Sequence, residues 1–107
     1  MTCAASSLRD LLDAARPALG QEAAEYQRLV TECETTLTLA REQAARADVS
    51  LDLTPDDADD WHNRNVWAGQ SRIVVAEAQV ACERLAVELR RYAHRARQQA
   101  QQSTTRI

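Results

Sequence analysis

Apolar positions recur at alternating steps of three and four along two long stretches of the chain. From Gln21 to Ala47 they are Ala23, Tyr26, Val30, Cys33, Leu37, Ala40, Ala44 and Ala47; from Arg72 to about residue 102 they are Val75, Ala78, Cys82, Leu85, Leu89, Tyr92 and Ala96. This heptad spacing keeps one stripe of a helix against a neighbour. Tyr26, Val30, Cys33, Leu37, Val75, Cys82, Leu85, Leu89 and Tyr92 are therefore the expected interaction seam. Ile73, Val74, Val80, Ala81 and Val87 widen the apolar face of the second stretch beyond what one antiparallel helix covers. That width predicts a bundle completed by a partner chain.

The segments around these stretches carry start and stop signals. Ser7 with Asp10 fits a capping box, and Leu8, Leu11, Leu12, Ala15 and Leu19 share one helical face. Pro17 lacks an N–H and crowds the preceding turn, and Gly20 weakens the same place. The expectation is a helix over 7–47 kinked near residue 17. Residues 48–54 break the pattern and read as a loop that tucks Leu51 and Leu53 inward. Thr54 as N-cap, Pro55 at the first helical position and acids behind them form a helix start. The second helix then begins at 55, or at 70 if the reversal extends to Gly69, and runs to about 102. Residues 1–6 and 103–107 are expected to fray. The fold class is all-α: a single domain over 1–107, an elongated antiparallel helical hairpin with heptad seams, forming a four-helix bundle with a partner chain.

Composition sharpens that expectation. Apolar residues make up 45% of 107, but aromatics only 4%, so little area is buried per residue and a partner is favoured. Residues 1–60 hold five arginines against thirteen acids, a net of −8, and residues 61–107 hold eight against three, a net of +5. The simplest arrangement places the two halves against each other; the alternative aims the basic half at an acidic partner. The net charge of −3 argues against nucleic acid. No stretch is apolar and long enough to span a membrane, and no signal peptide is evident. The expected location is cytoplasmic, or outside the cell by a route that needs no signal peptide.

Candidate chemistry is sparse. Cys3, Cys33 and Cys82 are odd in number and far apart, which indicates neither a disulfide framework nor a zinc site. Asp59 and His62 would share a helical face, but a single such pair does not make a metal centre. Asp56, Asp57, Asp59 and Asp60 suit the positive end of a helix dipole. His94 lies among Arg90, Arg91, Arg95 and Arg97, which disfavours a cation. With two glycines there is no phosphate loop, and no nucleophile has a partner base. The chain reads as a non-enzyme without cofactors, metal ligands or catalytic residues.

Trp61 to Gly69 holds both tryptophans of a chain that has no phenylalanine. Trp67-Ala68-Gly69 is a Trp-x-Gly tripeptide between two heptad-patterned segments of a chain of about one hundred residues. In this it resembles the WXG100 family, the small ESAT-6-like proteins exported by type VII secretion systems. The resemblance implies a helix-turn-helix hairpin with Trp67 and Gly69 at the turn. It also implies a homodimer or heterodimer with another small helical protein, and export without a signal peptide. The family's tyrosine-plus-acid export signal is absent here, since Tyr92 is followed four residues later by Ala96, a departure from the family's pattern that would leave the signal to a dimer partner. In the competing reading Trp61 and Trp67 anchor one long helix from Pro55 onward, and Gly69 permits close packing at a cost of roughly 1 kcal/mol relative to alanine. A cytoplasmic adaptor or assembly subunit then becomes the alternative function. A nucleic-acid-associated helical protein using the arginine-rich helix is a third.

Overall fold

A computed structural model describes residues 7–105. Cys3 and the two ends of the chain, residues 1–6 and 106–107, lie outside the described residues. The order is α1 (Leu8–Leu19), a 3-10 turn (Gly20–Glu22), α2 (Ala23–Leu51) and α3 (Ala58–Thr105), with no strand among the described residues. The chain is all-α, with α2 and α3 forming the arms of a helical hairpin.

Ser7 caps α1 as its spacing from Asp10 predicts: its Oγ accepts from the Asp10 N–H at 3.1 Å. Pro17 sits inside α1 without ending it. The break comes three residues later, where Gly20 takes φ 57°, ψ −124°, a conformation open to glycine and strained for any residue with a Cβ. The chain reverses in the 3-10 turn, and α1 runs antiparallel to the start of α2. Arg9 near its beginning reaches Thr31 at 3.5 Å, and Arg16 near its end donates to Gln27 at 3.3 Å.

The chain forms two compact units. The first comprises the chain up to Glu32 together with Cys82 onward, so three helical segments meet in it. Leu12, Ala15 and Leu19 of α1, Val30 of α2, and Leu85, Ala86, Leu89, Ala93 and Ala96 of α3 are its buried core. Tyr26 and Tyr92 meet edge to face across it, with ring centroids 5.6 Å apart. Burying Leu12, Val30 and Leu89 fully is worth about 1.5–3 kcal/mol each.

The second unit, Cys33–Ala81, contains the end of α2, the reversal and the start of α3. Two antiparallel helical segments meet in it. Ala40, Ala47, Ala68 and Ala78 are its buried apolar residues, and all are small. Seam positions Cys33, Leu37 and Val75 are half-buried.

The reversal falls at 52–57 and does not extend to Gly69. α2 continues to Leu51 through the stretch expected to be a loop, and the expected inward tuck of leucines is not found: Leu51 and Leu53 are exposed, as is Val49. The helical continuation turns Val49 and Leu51 outward, where no third segment of this unit covers them, and Leu53 lies in the reversal beyond the helix end. α3 starts at Ala58, after Thr54 and Pro55, because Asp57 and Asp60 supply the cap. Asp57 Oδ1 accepts from the Asp60 N–H at 2.8 Å, and Asp60 Oδ2 accepts from the Asp56 N–H at 2.9 Å. At the other end, residues 103–105 are helical instead of frayed; Thr104 Oγ1 donates back to the Ala100 carbonyl at 3.0 Å.

Candidate functional site

The reversal is held by one arginine. Arg64, in the second turn of α3, forks onto Asp60 through Nε (3.1 Å) and Nη2 (2.7 Å). Its Nη1 donates to the carbonyls of Ser50 (3.0 Å) and Leu53 (2.9 Å). These carbonyls lie at and just past the C-terminal end of α2, where few backbone donors are left; that of Ser50 also accepts from the Leu53 N–H at 3.3 Å. Asp60 in turn stays ionised below the ordinary carboxylate range, held there by the Asp56 N–H and then by Arg64. Sequence reasoning missed Arg64. The i,i+4 spacing of Asp60 and Arg64 is a local signal that could have flagged the pair, but its two carbonyl partners become visible only once the chain has turned.

Above the reversal, the two arms of the second unit enclose an apolar groove of about 470 Å³. Leu39, Ala40 and Gln43 line it from α2, and Trp67, Ser71 and Val74 from α3. Leu39 is 55% exposed, Trp67 40% and Val74 50%. Ser71 is buried in the groove, yet its hydroxyl has no hydrogen-bond partner among the described residues. Val66, Ile73 and Val80, seven residues apart on α3, add a second exposed apolar line in the same unit. Trp61 is exposed in the first turn of α3, and its carbonyl accepts from Asn65 at 2.8 Å.

Trp67 and Gly69 therefore sit inside α3, more than two turns beyond its start, and mark no chain reversal. Gly69 permits no close helix approach either: a Cβ built on it meets nothing within 4 Å. The seam positions differ in burial. Val30, Leu85 and Leu89 are buried, and Tyr26, Cys33, Leu37, Val75, Cys82 and Tyr92 are half-buried. Tyr26 is pushed up to about 12, first by burial and then by its neighbour Tyr92 and the carboxylates of Glu88 and Glu22.

The charged residues do not pair as the contrast between the halves suggested. Most ion pairs are local to one helix: Arg16 with Asp13, Arg28 with Glu25 and Glu32, and Arg64 with Asp60. Arg28 holds Glu25 below the ordinary range chiefly through its hydrogen bond. Arg72 to Asp48, at 2.8 Å, joins α3 to α2 in the second unit. Arg84, Arg90, Arg91 and Arg97 are exposed and make no ion pair with any described residue; Arg95 lies 5.1 Å from the centre of the Tyr92 ring. Six carboxylates of the acidic half, those of Asp13, Glu25, Glu32, Asp48, Asp57 and Asp60, are engaged by arginines or by the start of α3, and none of them reaches the C-terminal arginines of α3.

Asp59 and His62 are both exposed at the start of α3, and no group of three or more His, Cys, Asp or Glu side chains among the described residues could hold a metal ion. No described helix is long and apolar enough to cross a membrane. Comparison with protein families, curated proteins and solved structures finds no match to this chain.

Proposed function

We propose that this chain is a non-catalytic helical partner protein that docks on another small helical protein through the apolar face of its second unit. The observation that carries this reading is the groove of Leu39, Trp67 and Val74 with the adjoining Val66–Ile73–Val80 line. Two helical segments cannot cover an apolar face of this width, and large exposed patches of this kind mark interaction surfaces. The docked partner would complete a four-helix bundle. The buried hydroxyl of Ser71 offers one polar contact to fix the register of a partner helix. By its Trp-x-Gly tripeptide, length and hairpin, the chain resembles a WXG100-like type VII secretion substrate or dimer partner. The position of Trp67 and Gly69 within α3, away from the reversal, favours a second reading: a cytoplasmic adaptor or assembly subunit that uses the same face.

The test compares the full chain with an Ile73→Asp/Val80→Asp variant. Each is analysed by sedimentation velocity, alone and co-expressed with the products of the neighbouring genes, and tryptophan emission is followed. The unaltered chain should enter a complex with a blue-shifted emission; the variant should keep its helical circular dichroism and remain monomeric. A monomer in every mixture, or a variant that associates as well as the unaltered chain, overturns the docking face. Export is tested separately: secretion into the medium that ceases when the type VII ATPase is deleted supports the family reading, and retention in both strains removes it.

A further inference from the structure

Charge points to a specific partner for this docking reading, on which the inference rests. The last part of α3 carries Arg84, Arg90, Arg91, Arg95 and Arg97 within the first unit, opposed on the same stretch only by Glu83 and Glu88. All five arginines are exposed and none has an ion-pair partner among the described residues. On a helical projection Arg84, Arg91 and Arg95 fall in one stripe. Arg90 and Arg97 flank a shallow groove of about 380 Å³ floored by Leu11, Ala14 and Ala93, with Asp10 at its edge. Burial of long cationic stems along such apolar surface suits guanidinium groups that reach an anionic partner.

The second unit has the opposite character. Its reversal and the first turn of α3 carry Asp52, Asp56, Asp57, Asp59 and Asp60 with no basic residue between them. Asp57 and Asp60 are engaged in the cap and the Arg64 fork. Asp52, Asp56 and Asp59 are exposed and have no ion-pair partner among the described residues. Each copy of the chain thus presents one uncompensated cationic face and one uncompensated anionic turn.

We infer that the partner is a second copy of this chain, with the arginine face of one copy seated against the acidic reversal of the other. Arginine guanidinium groups fork onto carboxylates, and opposed fields speed encounter and fix register. The occupant is chosen by this complementarity. A nucleic acid would meet the same arginines but would be repelled by the net charge of −3 and by the exposed aspartates.

A charge swap tests the contact on the full chain. Arg84→Glu/Arg91→Glu makes the arginine face acidic, and Asp52→Arg/Asp56→Arg/Asp59→Arg makes the stretch 52–60 basic, three arginines against Asp57 and Asp60, while leaving the Asp57 cap and the Arg64–Asp60 fork intact. Sedimentation equilibrium should show the unaltered chain self-associating, about ten-fold more weakly when salt rises from about 50 to about 300 mM. Each swapped variant should be monomeric alone, and an equimolar mixture of the two should recover association, because both contacts are then complementary again. A monomeric unaltered chain, a swapped variant that associates as well as the unaltered chain, or a mixture that fails to recover association while both variants keep their helical content overturns the inference. So does binding of a labelled duplex that competes with association. The docking face is read separately: if Ile73→Asp/Val80→Asp abolishes association and the charge swaps do not, docking stands and the second-copy contact falls.

Discussion

Arg64 on α3 donates to the carbonyl of Ser50 on α2 at 3.0 Å, across fourteen residues of sequence, while the same guanidinium forks onto Asp60. One side chain thereby ties the end of one helix to the start of the next. Without it the Leu53 carbonyl would look to solvent, the Ser50 carbonyl would keep only the Leu53 N–H, and Asp60 would lose its guanidinium. This makes the reversal a fixed element of the fold.

Arg64→Ala should cost roughly 2 kcal/mol of stability, the two carbonyl hydrogen bonds being worth about 1 kcal/mol each. Arg64→Lys should recover less than half of this, since an ammonium cannot satisfy the fork and the carbonyls together. Urea unfolding followed by circular dichroism measures both. Equal midpoints for the unaltered chain and Arg64→Ala would show that the clamp contributes nothing.

The same substitution at the two glycines should have opposite signs. Gly20 has φ 57°, so Gly20→Ala should destabilise by roughly 1–2 kcal/mol through backbone strain alone, with no atom within 4 Å to clash. Gly69 lies in regular helix with open space where a Cβ would stand, so Gly69→Ala should stabilise by roughly 1 kcal/mol. Thermal unfolding of the two variants side by side reads the contrast. A loss of stability in Gly69→Ala would mean that the glycine serves a close contact after all.

Tyr26 gives a pH dependence with a definite direction. Its folded-state pKa is raised to about 12 from the ordinary 10.0, so its contribution is complete below pH 10 and is lost as pH rises towards 12. The chain has only two tyrosines, so in Tyr92→Phe the phenolate absorbance reports Tyr26 alone. That variant should titrate lower than Tyr26 does in the unaltered chain but still above the ordinary value, because burial is the largest cause and Tyr92 a smaller one. An ordinary tyrosine titration in the folded Tyr92→Phe chain would show that burial is not the dominant cause.

The seams were legible in the sequence because heptad spacing is a local property. Val30, Leu85 and Leu89 fall on the stripe and are buried, and Ser7 with Asp10 marks the start of α1. The reversal was not legible to the residue. Thr54-Pro55 and Asp57 are both acceptable helix starts, and the choice between them depends on Asp57 and Asp60 exchanging hydrogen bonds with the backbone while Arg64 holds Asp60 in place. Trp67 and Gly69 illustrate the same limit: as a tripeptide they fit a turn, and as neighbours of Ser71 and Val74 they continue a helix.

By itself the sequence determined two long helical stretches with apolar stripes and a weak point at Pro17 and Gly20; that the chain reverses at Gly20, so that α1 is a separate helix, came from the structure. Periodicity, caps and a glycine's permitted φ are set by residues within a few positions of one another. Only the tertiary structure decided which apolar residues are covered. In the first unit α1 supplies a third segment, and Ala86 and Ala93 of α3 are buried. In the second unit two segments meet, and Leu39, Trp67, Ile73 and Val74 remain exposed. A stripe fixes which way a side chain points, but burial depends on how many helices meet there, and that number is a property of the folded chain.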